Sequence, residues 1–163
     1  MAQFITGNTG ASTGPHLDFR VYNPKGGGYE DPGQYLNRLT VGGKPFDFQV
    51  TSPRGMRNHP TKGGQRMHEG IDYATPTGTA IDVDGKFMGT FKDPGGGGIM
   101  SQYLIQTDDG HRELLLLHGS DQNKITMGGA LTEYDPSSYF QDNDAAPATV
   151  AGDKAPDKAQ DFL

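Results

Sequence analysis

The sequence predicts a mainly β domain of short strands followed by an acidic arm that is extended or disordered. Three observations predict it. The chain holds 25 Gly and 11 Pro in 163 residues, with a hydrophobic fraction of 33%. That composition suits many strands and turns, not a helical bundle. Residues 103–107 and 112–117 form apolar runs joined through Asp108-Asp109-Gly110, and an Asp-Gly turn between two such runs signals a hairpin. Beyond Leu131 the composition shifts to Asp, Ala, Pro, Ser and Lys with few core formers, too little apolar surface to offset the entropy of ordering.

Taken in order, Phe4-Ile5 begins a short strand, and a Gly/Ser/Thr loop follows it. From His16 to Tyr22 the residues alternate. Leu17, Phe19 and Val21 point one way, and His16, Asp18 and Arg20 point the other. Residues 23–28 read as a turn-rich loop. Residues 46–52 alternate weakly before the turn Pro53-Arg54-Gly55. His68 and Asp72 lie at even spacing, which sets both on one side of an extended segment. Gly70 between them allows close backbone approach, and Ile71 and Tyr73 face away. Residues 81–91 hold short strands broken at Asp84-Gly85. His118 directly follows the second hairpin strand, and His111 lies in the hairpin turn, where it is expected to be exposed. After Ser120 the signal fades, and residues 125–131 can bring the chain back towards its start.

Several classes are excluded as expectations. No run approaches the length of a membrane span, and the first residues lack the basic-then-apolar pattern of a signal peptide. Cysteine is absent, so disulfides and thiolate chemistry are excluded and any metal must be held by His and carboxylate. The net charge is −6, and residues 132–163 carry seven acids and two lysines, or −5 of it. An acidic arm on a near-neutral body argues against nucleic-acid binding.

The motifs carry a resemblance. Thr6-Gly7-Asn8-Thr9-Gly10-Ala11-Ser12-Thr13-Gly14-Pro15-His16-Leu17-Asp18-Phe19 resembles the closing motif T-G-x-S-T-G-P-H-L-H-F of lysostaphin/LytM-type zinc peptidases. Arg57-Asn58-His59-Pro60 and His68-Glu69-Gly70-Ile71-Asp72 resemble that family's opening motifs, R-x-H-P and H-x-G-x-D. Thr77-Gly78-Thr79-Ala80-Ile81 resembles its P-x-G-T-x-V, Gly95 to Gly98 its glycine loop, and Leu116-Leu117-His118-Gly119-Ser120 its Y-x-H-L-S. The closing motif here precedes the opening ones, so the chain looks like a circular permutation of the family domain. Tyr29 to Leu36 resembles the segment that closes that domain, which implies that residues 37–45 are a linker joining the old end to the old beginning. The resemblance implies a permuted domain over 1–131, in which 1–36 matches the family's C-terminal block and 46–128 its N-terminal block. Residues 132–163 remain as the acidic arm.

The family fold is a small antiparallel β-sheet domain with a groove across one sheet. The resemblance implies a metal site of His68, Asp72 and Asp18, with His16 and His118 as the catalytic pair and zinc as the cofactor. Zinc peptidases need three protein ligands and an open position for water, which the metal brings to a pKa of about 7. Asp18 stands where the family has His. It serves either as a ligand that weakens or alters metal affinity, or only as a partner of Arg20. Arg57 and His59 are expected to shape the cleft or touch substrate, with a structural role equally open.

Two functions follow as expectations. The first is a metal-dependent endopeptidase that cuts the peptide cross-links of bacterial peptidoglycan. The second is an inactive, peptidase-like module that grips cell-wall peptide or another protein. Wall peptidases of this type recur in phage tails and lysis systems, so the resemblance implies a phage virion (tail) or a released protein. The arm would then dock on other phage structural proteins through Tyr134, Tyr139, Phe140 and Phe162-Leu163. The sequence leaves open whether the first block completes its own chain's site or a neighbour's by domain swapping.

Overall fold

The computed structural model describes residues 3–58 and 64–135. The strands in chain order are β1 (Gln3–Ile5), β2 (Leu17–Asn23), β3 (Gly28–Glu30), β4 (Leu39–Val41), β5 (Lys44–Pro45), β6 (Val50–Ser52), β7 (Gly55–Asn58), β8 (Gln65–His68), β9 (Ile71–Tyr73), β10 (Ala80–Val83), β11 (Lys86–Asp93), β12 (Gly98–Thr107) and β13 (Gly110–Gly119). Two short 3-10 helices, η1 (Pro32–Arg38) and η2 (Asp121–Met127), complete the elements. The fold is mainly β, as the sequence predicts, and its strand pairings are antiparallel. No helix among the described residues is long and apolar enough to cross a membrane.

The larger sheet runs β11-β12-β13-β2-β9-β6, with β3 added alongside β2, and the smaller runs β1-β10-β4-β5. β7 and β8 form a separate two-stranded ribbon. The alternation in β2 explains how the layers meet. Leu17, Phe19 and Val21 join Leu114 and Leu116 of β13, Tyr103 and Ile105 of β12, and Phe4, Leu39, Ile81 and Val83 of the smaller sheet in one core cluster. Each such side chain contributes roughly 1.5–3 kcal/mol on burial. The opposite face of the larger sheet carries a second cluster of Met100, Leu115, Leu117 and Tyr134.

Strand β2 therefore lies between β13 and β9 within one chain. The end of the Thr6–Phe19 motif meets Asp72 in a single sheet of one chain, and His68 approaches from the ribbon. After β13 the chain returns to its start. Asn123 of η2 accepts from the Ile5 N–H at 2.9 Å and donates to the Ile5 carbonyl at 2.8 Å. The loop after β1 packs just as closely on the loop before β12. Gly10 has φ +81°, and a Cβ there would collide with the backbone of Gly96 and Gly98.

Three expectations need correction. Residues 37–45 are not a plain linker. Asp31 caps η1 by accepting from the Gly33 N–H, Pro32 occupies the first turn, and β4 then pairs with β10 and buries Leu39 completely. His111 is buried, because the ladder of β13 begins at Gly110 and already pairs His111 with Gln106. His68 and Asp72 do not share one extended segment. His68 ends β8 on the ribbon, Asp72 belongs to the larger sheet, and the chain bends between them at Gly70.

Part of the predicted arm is also described. The Thr132 carbonyl accepts from the Lys92 N–H at 2.9 Å, and Tyr134 packs edge-on against Phe91. The remainder, 136–163, including Tyr139, Phe140 and Phe162-Leu163, lies outside the described residues.

Candidate metal centre

The site begins with a strand register. Asp18 on β2 faces Asp72 on β9 directly across the ladder, and both are buried. Like charges opposite one another destabilise a sheet, so this pair needs a cation between or beside it. His68 supplies one contact. Its Nε2 lies 3.3 Å from Asp18 Oδ2 and 3.2 Å from Asp72 Oδ1. The bend at Gly70 makes the approach possible, since a Cβ there would overlap Asp18 Oδ1.

Two arginines complete the charge pattern. Arg20 donates Nε to Asp18 Oδ1 at 3.1 Å and Nη2 to Asp18 Oδ2 at 2.9 Å, a bidentate pair. Arg57 donates Nη1 to the Ser52 hydroxyl at 2.6 Å and to Asp72 Oδ2 at 3.4 Å. Burial alone would raise the pKa of Asp18. The hydrogen bond from His68 and the charge of Arg20 outweigh it and hold the carboxyl well below the usual carboxylate range. Burial alone would lower the pKa of His68. Its hydrogen bond to Asp18 and the negative charges of Asp18 and Asp72 outweigh that and push it up to about 9.

Three imidazoles are presented in the same way. His68 Nδ1 contacts the Pro53 carbonyl at 3.2 Å, His16 Nδ1 the Gly14 carbonyl at 2.8 Å and His118 Nδ1 the Thr9 carbonyl at 2.7 Å. A carbonyl only accepts, so each Nδ1 carries a proton, and Nε2 of His68 and of His16 faces the carboxylates. His16 Nε2 is 3.9 Å from Asp72 Oδ1, and the His16 and His118 rings lie 4.4 Å apart between centroids. Burial is the main cause holding His118 below its usual pKa, and the neighbouring His16 adds to it. His118 adopts φ +62°, a left-handed conformation that is uncommon outside glycine and concentrates at functional sites.

Asp18, His68 and Asp72 each offer one ligand atom, and these atoms lie within 4.8 Å of one another. The donor set is one imidazole and two carboxylates, a combination zinc accepts. Asp72 Oδ1 is buried and has no hydrogen bond of good geometry; its 3.2 Å approach to His68 is an ionic contact only. A buried acceptor of that kind suits a cation. The carbonyl contact on His68 Nδ1 is the support that metal-bound histidines ordinarily have.

Of the residues named from sequence, His16, Asp18, His68, Asp72 and His118 come together, and Arg57 reaches the edge of the group through Asp72. His59 lies outside the described residues. Asp18 pairs with Arg20, as one of its two readings expects, but the pair is buried in the site and not on a solvated strand. The carbonyls that orient the histidines escape sequence reasoning, because a backbone acceptor leaves no signal in residue identity. Arg20 does have a signal: it stands two positions after Asp18 on the same strand face.

Over 80 residues, or 49% of the chain, the sequence is 36% identical to DD-carboxypeptidase/endopeptidase Mpg of Neisseria meningitidis serogroup B and of Neisseria gonorrhoeae. In a further Neisseria meningitidis serogroup B protein of that name the match is 43% over 49 residues, 30% of this chain and 11% of the relative. The longer match spans only 16% of those relatives' length. No family model matches the chain, and no solved structure does.

Proposed function

We propose that this protein is a metal-dependent endopeptidase acting on the peptide cross-links of bacterial peptidoglycan. The buried Asp18-His68-Asp72 group, with the imidazole of His16 beside Asp72 and that of His118 packed on His16, carries the reading. Similarity to proteins named as a DD-carboxypeptidase/endopeptidase supports it. Asp18, His68 and Asp72 would hold the metal, with zinc the ion best suited to the donors. Zinc bound there would polarise the scissile carbonyl and make water acidic enough to deprotonate near neutral pH.

The chain's own residues do the proton work. His16 is partly open to solvent, and its Nε2 lone pair accepts a proton from the attacking water. The water oxygen bonds to the carbonyl carbon, the C–N bond breaks, and the proton passes from His16 to the leaving amine. His118 in its neutral form also presents a lone pair at Nε2, so it orients the water as an acceptor. It would donate to an oxyanion only after protonation, which burial opposes. Arg57 sits where it can steady Asp72 and reach substrate at the cleft edge, with His59 beside it in sequence.

The strand order supports a circularly permuted domain over 1–131, with 132–163 as an arm. On this reading the protein works in a phage virion, at the tail, or outside the cell, and the arm docks on other phage structural proteins. Detection of the protein in purified particles tests that placement, and its absence there removes it. A second reading is favoured by one observation: Arg20 and His68 already engage both oxygens of Asp18. A site satisfied in this way suits a metal-free module that holds wall peptide.

One experiment separates the two. Metal content and peptide release from purified peptidoglycan are measured for wild type and His68→Ala. The enzyme reading expects about one zinc per chain and a loss of at least 10³-fold in activity in the variant, in the range that removal of a central catalytic group produces. Unchanged activity in His68→Ala rejects it. Absence of metal together with retained peptide binding selects the module.

A further inference from the structure

We propose that Arg20 is a built-in counter-cation of the metal site, which lets buried Asp18 stand where a neutral ligand would serve and lowers the site's affinity for a divalent ion. The inference rests on the metal-site reading above and concerns a residue which that reading leaves unused.

The argument starts from charge. Asp18 adds a second negative charge to a buried group that already contains Asp72. Isolated carboxylates are rarely left uncompensated in such a place. The structure compensates Asp18 individually. Arg20 lies two residues further along β2, on the same strand face, and its guanidinium takes both carboxylate oxygens at 3.1 and 2.9 Å. The two residues together present the charge of a neutral ligand. Arg20 is also fixed in place. Its Cγ lies 2.7 Å from where a Cβ on Gly70 would be, so the bend that delivers His68 also packs on the Arg20 stem.

Two consequences follow, and they have opposite signs. Without metal, Arg20 and His68 satisfy Asp18, so the site stays folded while empty. With metal, the guanidinium keeps a positive charge next to a dication and shares the oxygen atoms the ion would use. Repulsion at this range in a site shielded from water is strong. Arg20 is therefore a positioning and charge-setting residue, not one that touches substrate.

The test compares chelator-stripped wild type, Arg20→Lys, Arg20→Gln and Arg20→Ala, with zinc titrated against a competing chromophoric chelator and melting followed in EDTA and in saturating zinc. Arg20→Gln and Arg20→Ala are expected to bind zinc at least tenfold more tightly than wild type. They should melt lower in EDTA and gain more from zinc, as linkage between binding and folding requires. Arg20→Lys keeps the charge and should stay within about threefold of wild type. Arg20→Gln retains a hydrogen-bonding side chain and covers the case in which Arg20→Ala fails to fold without metal.

Zinc affinity that falls or stays level in both neutral variants overturns the proposal, while zinc bound by wild type leaves the metal-site reading intact. Zinc bound only by the neutral variants supports the proposal and shows that wild type carries no resident ion. Zinc bound by none of the four removes both.

Discussion

Both faces of β2 bury side chains, and the two are built on opposite principles. Leu17, Phe19 and Val21 point into the core between the sheets, each with no exposed surface. One residue out of phase, Asp18 is 3% exposed and is held by hydrogen-bonded cations, Arg20 on its own strand and His68 from the ribbon, against the like charge of Asp72 opposite. The apolar face is tolerant, since close packing and volume decide its stability. The polar face depends on every partner being present, since one removal leaves a buried charge. The difference teaches that alternation along a strand separates apolar from polar, and that it does not separate inside from outside.

The comparison breaks most visibly at Phe19. Phe19→Ala should cost about 3–5 kcal/mol, the range for a large core side chain truncated to alanine. Zinc stoichiometry in the fraction that remains folded should not change. Urea unfolding and metal analysis on the same samples check this. A change in metal content with little loss of stability would show that the two faces are not separable.

Gly70 tests the polar face by steric means. An alanine Cβ would overlap Asp18 Oδ1 and stand 2.8 Å from the Phe19 carbonyl oxygen. The second contact is backbone and cannot rotate away. Gly70→Ala should cost about 1–3 kcal/mol, as overpacking does, and should weaken zinc binding by displacing Asp18. Calorimetry with zinc reads both. Wild-type affinity in a folded variant would mean that the approach of Asp18 to the bend is not needed.

The charges on that face make a pH prediction for the zinc-free protein. The pKa of His68 is raised from 6.5 to about 9 in the folded state. Its contribution to stability is fully present below 6.5 and is lost as pH rises through 9. The size is on the order of 3 kcal/mol. Asp18 is lowered from its ordinary value, so its contribution is present above the usual carboxylate range and is lost on acidification. Zinc-free protein should therefore be most stable between about pH 4 and 6.5, and Phe19→Ala should lower that whole curve without changing its shape. A melting temperature that stays level from pH 6.5 to 9 would place His68 outside the ion network.

Much of the fold and of the site is legible in the sequence. The alternation in residues 17–22 and the Asp-Gly hairpin name the core strand and the longest pair of strands, and His68 and Asp72 are singled out although not by the geometry their spacing implies. The resemblance adds His16 and His118. What stays hidden depends on backbone. His68 and Asp72 converge across a bend rather than along one strand, because Gly70 lets the chain turn against Asp18. The carbonyls of Gly14, Pro53 and Thr9 fix three imidazoles and have no residue signature. The resemblance implies a linker over residues 37–45, and β4 and β5 are too short to show a period against it.

The smallest effect is expected where the two faces meet, at the end of β13. His118 holds φ +62°, a conformation that asparagine also visits with little strain. His118→Asn keeps a side chain able to donate to the Thr9 carbonyl, relieves part of the backbone cost and loses the ring packed on His16. These changes oppose one another, so stability should move by less than about 1 kcal/mol. Peptide release should fall by about 10²-fold or more, the share a positioned acid–base group contributes. A large stability loss would make His118 a structural cap of β13. Unchanged activity would leave His16 as the sole proton acceptor of the site.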